Sequence, residues 1–373
     1  MEQRVTPLEL FFDLVFVFAI TQVTAFISRD PNWTRLVEGL AILAVLWWAW
    51  VSYAWLGNYA ASDEGTVRVV LLGAMAAMIV VSLAVPHAFG SNALAFGIGF
   101  FVVRAAHLVA YYVIARGDPE LQGVIVRLAG TILPAASLLV LAGALDGTPR
   151  ALCWVGALAI DYGGLALRGT EGWRVVPGHF AERHGLIVII ALGESIVSLG
   201  VGVGHLKLGI GTIAAALAGG AVAAAMWWAY FDFVAIVAER RFRTAEPAEQ
   251  ARLARDSYSY LHLPMIAGVI VFALGVKKTL LGVGDDLHAV PAVALCCGPA
   301  LYFLALSAFR RRNIGMWNRG RLVAAAVLVA VAPLATTLPA LLSLAFVALV
   351  ACALIAFETV AYADYRDSVR HGT

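Results

Sequence analysis

Apolar stretches of about 18 or more residues recur along the whole chain, separated by short polar connections, and each is long enough for a roughly 30 Å hydrocarbon core. The pattern predicts about twelve membrane-spanning helices, near 8–27, 34–57, 67–89, 92–114, 121–144, 149–168, 184–203, 208–238, 257–275, 289–309, 319–337 and 339–361. The expected fold is therefore all-α, a polytopic integral membrane protein with no room for a soluble domain. The thinnest separator is "PLATTLP", before the last span.

An internal similarity suggests how the helices are grouped. "LAVLWWAWVSY" at 43–53 resembles "AAAMWWAYFDF" at 223–233, and the helix before each carries a central acid, Asp13 or Glu194. Two parallel six-helix repeats are expected from this, a first half at 1–168 and a second at 169–373, an arrangement found among transporters.

Composition agrees with the pattern. Hydrophobic residues make up 62% of the 373 and charged residues 13%, against roughly one quarter charged in soluble domains. The mean hydropathy is +0.86, so the expected partner is the lipid bilayer. The net charge of +2 comes with scattered arginines and no basic face, which excludes nucleic acid as a partner. Cys153, Cys296, Cys297 and Cys352 lie in apolar runs without C-x-x-C spacing, and are read as packing residues. Most of the 26 lysines and arginines fall on the side of the N-terminus, which predicts both termini in the cytoplasm. The first run contains acids and lacks a small-x-small cleavage site, so it is expected to stay as a helix.

The candidate chemistry consists of the ionisable groups inside these runs. In "TPLELFFDLVF", Thr6, Pro7 and Glu9 read as N-cap, first helical position and reciprocating acid of a capping box. Asp13 lies one turn further in, beyond the reach of any cap, and an acid there should face a partner, the bundle interior or water. Arg104 sits at the centre of its span and needs a counter-ion, with Asp13, Asp161, Glu194 and the less central Asp232 as candidates. His107 and Tyr111 follow Arg104 on the same helical face.

Glu194 in "LGESIV" is central to its helix, with Gly193 and Ser195 beside it for close approach of a neighbour. His179, Glu182 and His184 precede that helix. Histidines five residues apart diverge by about 140° on a helix, so a metal site is not expected; the readings are hydrated interfacial side chains or a proton-accepting mouth. Glu358 reads as interfacial.

"TPLELFFDLVFVFAITQ" at 6–22 and "HFAERHGLIVIIALGESIV" at 179–197 resemble the two signature regions of the bacterial low temperature requirement protein A (LtrA) family. The matched positions are Glu9, Phe11, Phe12, Asp13, His179, Glu182, Arg183, His184, Gly193, Glu194 and Ser195. The resemblance implies a bacterial inner-membrane protein of this length, and implies no substrate, cofactor or residue role. The leading expectation is a transporter-like protein with a polar, proton-coupled path lined by Asp13, Arg104, His107, Asp161, Glu194 and Asp232. An integral membrane enzyme acting on a lipid or isoprenoid, and a structural or signalling membrane protein, stay open as alternatives.

Overall fold

A computed structural model describes residues 5–59, 65–170, 172–203 and 209–363, with the side chains of Arg168 and of residues 198–203 left aside. Arg4, Lys207, Arg366 and Arg370, which contribute to the charge bias between the two sides, lie outside the described residues.

Every named element is a helix. They are α1 (Pro7–Arg29), α2 (Trp33–Leu56), α3 (Gly65–Ala84), α4 (Ala93–Ile114), α5 (Pro119–Gly143), α6 (Gly147–Arg168), α7 (Pro177–Val203), α8 (Ile210–Phe231), α9 (Val234–Thr244), α10 (Pro247–Leu253), α11 (His262–Leu281), α12 (Ala289–Ile314), α13 (Arg319–Val331) and α14 (Ala340–Ala361). Among the described residues, 11 stretches are long and apolar enough to cross a membrane. The 27-residue α7 is a further long helix. The protein is thus a polytopic all-α membrane protein. The short 3-10 turn Leu334–Thr336 separates α13 from α14 where the sequence offered only "PLATTLP".

Three boundaries differ from the sequence reading for local reasons. α7 begins at Pro177 rather than near 184, because proline is pre-organised for the first helical turn. That places His179, Glu182, Arg183 and His184 on the helix. The expected span 208–238 breaks after α8 and resumes as α9. The span expected at 257–275 is instead α11, preceded by a π-helical segment at Ala254–Tyr260.

The chain divides into two compact units. The first takes residues up to Phe26, Val37–Arg183 and Glu246–Arg255; the second takes Ile27–Leu36, His184–Ala245 and Asp256 onward. In the first unit, α3, α4, α5 and α6 pack in sequence order. α6 returns to α2 through Tyr162, whose hydroxyl donates to the Ala44 carbonyl (2.7 Å) and whose ring lies 4.3 Å from Trp48. In the second, α11 to α14 pack in order and α14 returns to α8.

Small residues let these helices touch backbone to backbone. A β-carbon at Gly143 would lie 2.5 Å from the Leu94 Cα, and one at Gly275 2.5 Å from the Leu295 backbone. Gly275→Ala should therefore cost about 1–3 kcal/mol, because neither rigid helix has a flexible side chain to move aside. Thermal unfolding in detergent checks this, and an unchanged midpoint would contradict the close α11–α12 contact.

Candidate functional site

The first unit gathers most of the ionisable groups singled out above into two neighbouring buried clusters. The first cluster joins the start of α1 to the start of α7. Glu9 closes the expected capping box: its carboxylate accepts from the Thr6 amide (2.9 Å), and its own amide donates to Thr6 Oγ1 (3.3 Å). The acid is not only a cap, since Glu9 Oε2 also lies 3.1 Å from His179 Nε2. Arg183, one turn after His179 on the same face, donates to Asp13 at 2.5 Å and approaches Glu9 Oε1 at 3.7 Å.

The Trp50 indole of α2 donates to the same Asp13 oxygen at 2.7 Å, and the Arg183 guanidinium lies over its ring at 5.6 Å. All five side chains are buried. The cluster therefore holds two acids, one arginine and one histidine away from solvent. Their charges balance when His179 carries a proton and both acids are ionised.

This corrects the reading of His179 and His184 as hydrated interfacial groups: both imidazoles are fully buried. Glu182 is exposed, and accepts from the Val5 amide (3.3 Å). His184 belongs to the second unit, packed against Tyr258 and His262. Arg183, a residue of the motif, is a further member of the site that the sequence does not mark as one. It lies at the edge of an apolar run, where position alone does not signal burial.

The second cluster is built on α4. Arg104 Nη2 donates to Asp161 of α6 at 2.8 Å, which identifies the required counter-ion. Arg104 Nη1 donates to Ser52 Oγ of α2 (2.6 Å) and to the Trp48 carbonyl (3.3 Å). His107 Nε2 lies 3.0 Å from the Ser52 carbonyl. These groups border a cavity of about 320 Å³, whose walls also include Trp55, Tyr111, Arg127 and Trp173. It runs from mid-helix, at Arg104 and Asp161, to Gly169 at the end of α6.

Tyr53 touches both clusters. Its ring lies 4.6 Å from Phe12 and 5.2 Å from His107. Its hydroxyl donates to the Val103 carbonyl (2.7 Å), and its own carbonyl accepts from Arg183 (3.4 Å).

Glu194 and Asp232 fall in the second unit and join neither cluster as described. Glu194 is buried. Gly193 does not serve close packing, because a β-carbon there would meet nothing within 4 Å. Asp232, the C-cap of α8, is half-buried beside a cavity of about 30 Å³ that Arg310, Arg321 and Glu358 also border. Glu358 is not merely interfacial: it forms a bidentate pair with Arg321 at 2.8 Å for each bond, and accepts from Asn318 (2.7 Å).

The family model of the bacterial low temperature requirement A protein (LtrA) matches residues 4–356. An uncharacterized protein of Rhizobium meliloti (strain 1021) is 29% identical over 278 residues, covering 72% of this chain and 67% of that one.

Proposed function

The chain belongs to the bacterial LtrA family, and from that premise we propose that it is a transporter-like protein of the cytoplasmic membrane, with both termini inside and a polar, proton-coupled path through its first unit. The observation that carries this reading is the cavity of about 320 Å³ beside the Arg104–Asp161 pair, in a helix bundle that has no need of ions for burial. Buried ion pairs contribute little net stability, since desolvation offsets the Coulomb attraction, so their place beside a cavity supports a role in binding.

The two clusters divide the work. Arg104, Asp161 and His107 form the wall against which a solute binds. Asp13, Glu9, His179 and Arg183 form a proton-holding group next to it, in which the hydrogen-bonded His179–Glu9 pair, 3.1 Å apart, carries the proton. Tyr53, in contact with both, couples occupancy of the cavity to that proton. The similar order of helices in the two units supports the repeat at 1–168 and 169–373 as their origin.

The test is solute accumulation. Vesicles reconstituted with the protein, given an imposed proton gradient and a mixture of small organic acids, amines, sugars and amino acids, should concentrate one class above protein-free vesicles. Arg104→Gln should abolish the gain. Accumulation of no solute, or accumulation indifferent to that substitution, would overturn the reading.

A further inference from the structure

Three side chains on one face of α4 border the cavity, and each leaves a buried polar atom without a hydrogen-bond partner among the described residues. The atoms are Arg104 Nε, His107 Nδ1 and the Tyr111 hydroxyl. The residues are 1%, 2% and 0% exposed. Their spacing of three and then four residues stacks them along the cavity from the middle of α4 toward its C-terminal end. Buried polar atoms are nearly always partnered, and three orphans in a row beside a cavity point to a ligand that completes them.

The chemistry of that ligand follows from what each atom can do. Arg104 Nε only donates, so it requires an acceptor. His107 Nε2 faces the Ser52 carbonyl, which can only accept, so Nε2 carries the hydrogen and the neutral ring offers Nδ1 as an acceptor. The Tyr111 hydroxyl can do either. A head group with two oxygens and one proton meets all three: one oxygen accepts from Arg104 and Tyr111, while a proton bridges the other oxygen and His107 Nδ1. An ammonium offers no acceptor, and an ether or ester offers no proton. Trp48, Trp55 and Trp173, with Val124, Leu128 and Ile132, supply apolar wall and favour an apolar or aromatic body.

We propose that this cavity binds a carboxylate- or phosphate-bearing small molecule with an apolar body, one anion and one proton entering together. The assignment rests on the transporter reading only for its direction of movement; the binding itself does not depend on it. The balance is simple: an oxyacid anion and a proton from solution form the bound pair, and no covalent bond is made or broken. Facing His107 are Arg104 and Tyr111 of its own helix, and Tyr53 of α2. Arg127 of α5 and Asp161 of α6 line the same cavity. Asp161 already holds Arg104 through Nη2, so the guanidinium meets the ligand through its remaining Nε–H.

The test uses the full chain in phosphatidylcholine nanodiscs, with benzoate and phenyl phosphate as probes and benzamide as the uncharged match. Quenching of tryptophan fluorescence reads binding, and calorimetry in two buffers of different ionisation enthalpy reads proton uptake. At least one oxyacid should bind about tenfold or more tighter than benzamide, with about one proton taken up per ligand near neutral pH. Tyr111→Phe should weaken that oxyacid about tenfold while leaving the thermal midpoint unchanged or raised, because the hydroxyl it removes has no partner in the fold. His107→Gln should abolish the proton uptake.

Equal affinity for benzamide, no saturable binding of either oxyacid, or binding without proton uptake would each overturn the assignment. Phosphatidic acid added to the nanodiscs tells the source: competition marks a lipid phosphate as the natural ligand, and its absence marks a soluble acid, both consistent with the oxyacid site. If an oxyacid binds with its proton but vesicles accumulate nothing, transport fails and this site stands. If vesicles accumulate another class and neither oxyacid binds, the site fails and transport stands.

Discussion

Arg183→Leu should destabilise the protein by about 3–5 kcal/mol, the usual cost of removing one partner from a buried ion cluster. The wild-type guanidinium is the only arginine between two buried acids among the described contacts, 2.5 Å from Asp13 and 3.7 Å from Glu9. Without it, Asp13 keeps the Trp50 indole hydrogen bond, and Glu9 keeps His179 and its cap, but two buried carboxylates lose their guanidinium. Arg183→Lys should recover only part of the loss. An ammonium on a flexible stem cannot reach both acids and stack on Trp50 as the planar fork does. Thermal unfolding in detergent measures this; an Arg183→Leu protein within about 0.5 kcal/mol of wild type, as an ordinary surface change would be, contradicts the cluster.

Asp161→Ala should be comparably costly, again about 3–5 kcal/mol, because it leaves the Arg104 charge buried with no acid beside it among the described residues, held by the Ser52 hydroxyl, the Trp48 carbonyl and the Phe100 ring. The double variant Arg104→Met, Asp161→Leu should recover most of that stability, since apolar residues of similar volume need no partner. In the cycle built from Arg104→Met, Asp161→Leu and the two together, the double variant should be less destabilised than the sum of the singles by more than about 3 kcal/mol, because each single alone strands a buried charge. The same double variant should still lose solute accumulation. That combination, a restored fold without function, separates a pair kept for binding from one kept for stability. Additive single effects would contradict the 2.8 Å contact, and a double variant that still accumulates solute would contradict its role in binding.

The membrane-spanning pattern was legible because apolar length is a one-dimensional property: a run such as α14 needs no knowledge of its neighbours to be seen. Arg104 was legible for the same reason, its depth in the span demanding a counter-ion. Which acid supplies it was not, because three acids and the less central Asp232 were all candidates, and only the approach of α6 to α4 selects Asp161. Arg183 and His179 were hidden by a boundary error. A helix beginning near 184 leaves both ahead of it, whereas Pro177 starts α7 earlier and places both beside α1. Ser52 and Trp50 carried no signal of their own, since a serine and a tryptophan in an apolar run are common and become informative only beside Arg104 and Asp13. Glu358 was likewise undervalued, because its partner Arg321 lies on the preceding helix rather than on its own.

The most direct test of the cavity as a binding site is native mass spectrometry of protein released from its own membrane, comparing wild type with the Arg104→Met, Asp161→Leu variant. The account predicts a specific small-molecule adduct on the wild type that the folded variant lacks. The same adducts on both proteins, or none on either, would contradict it.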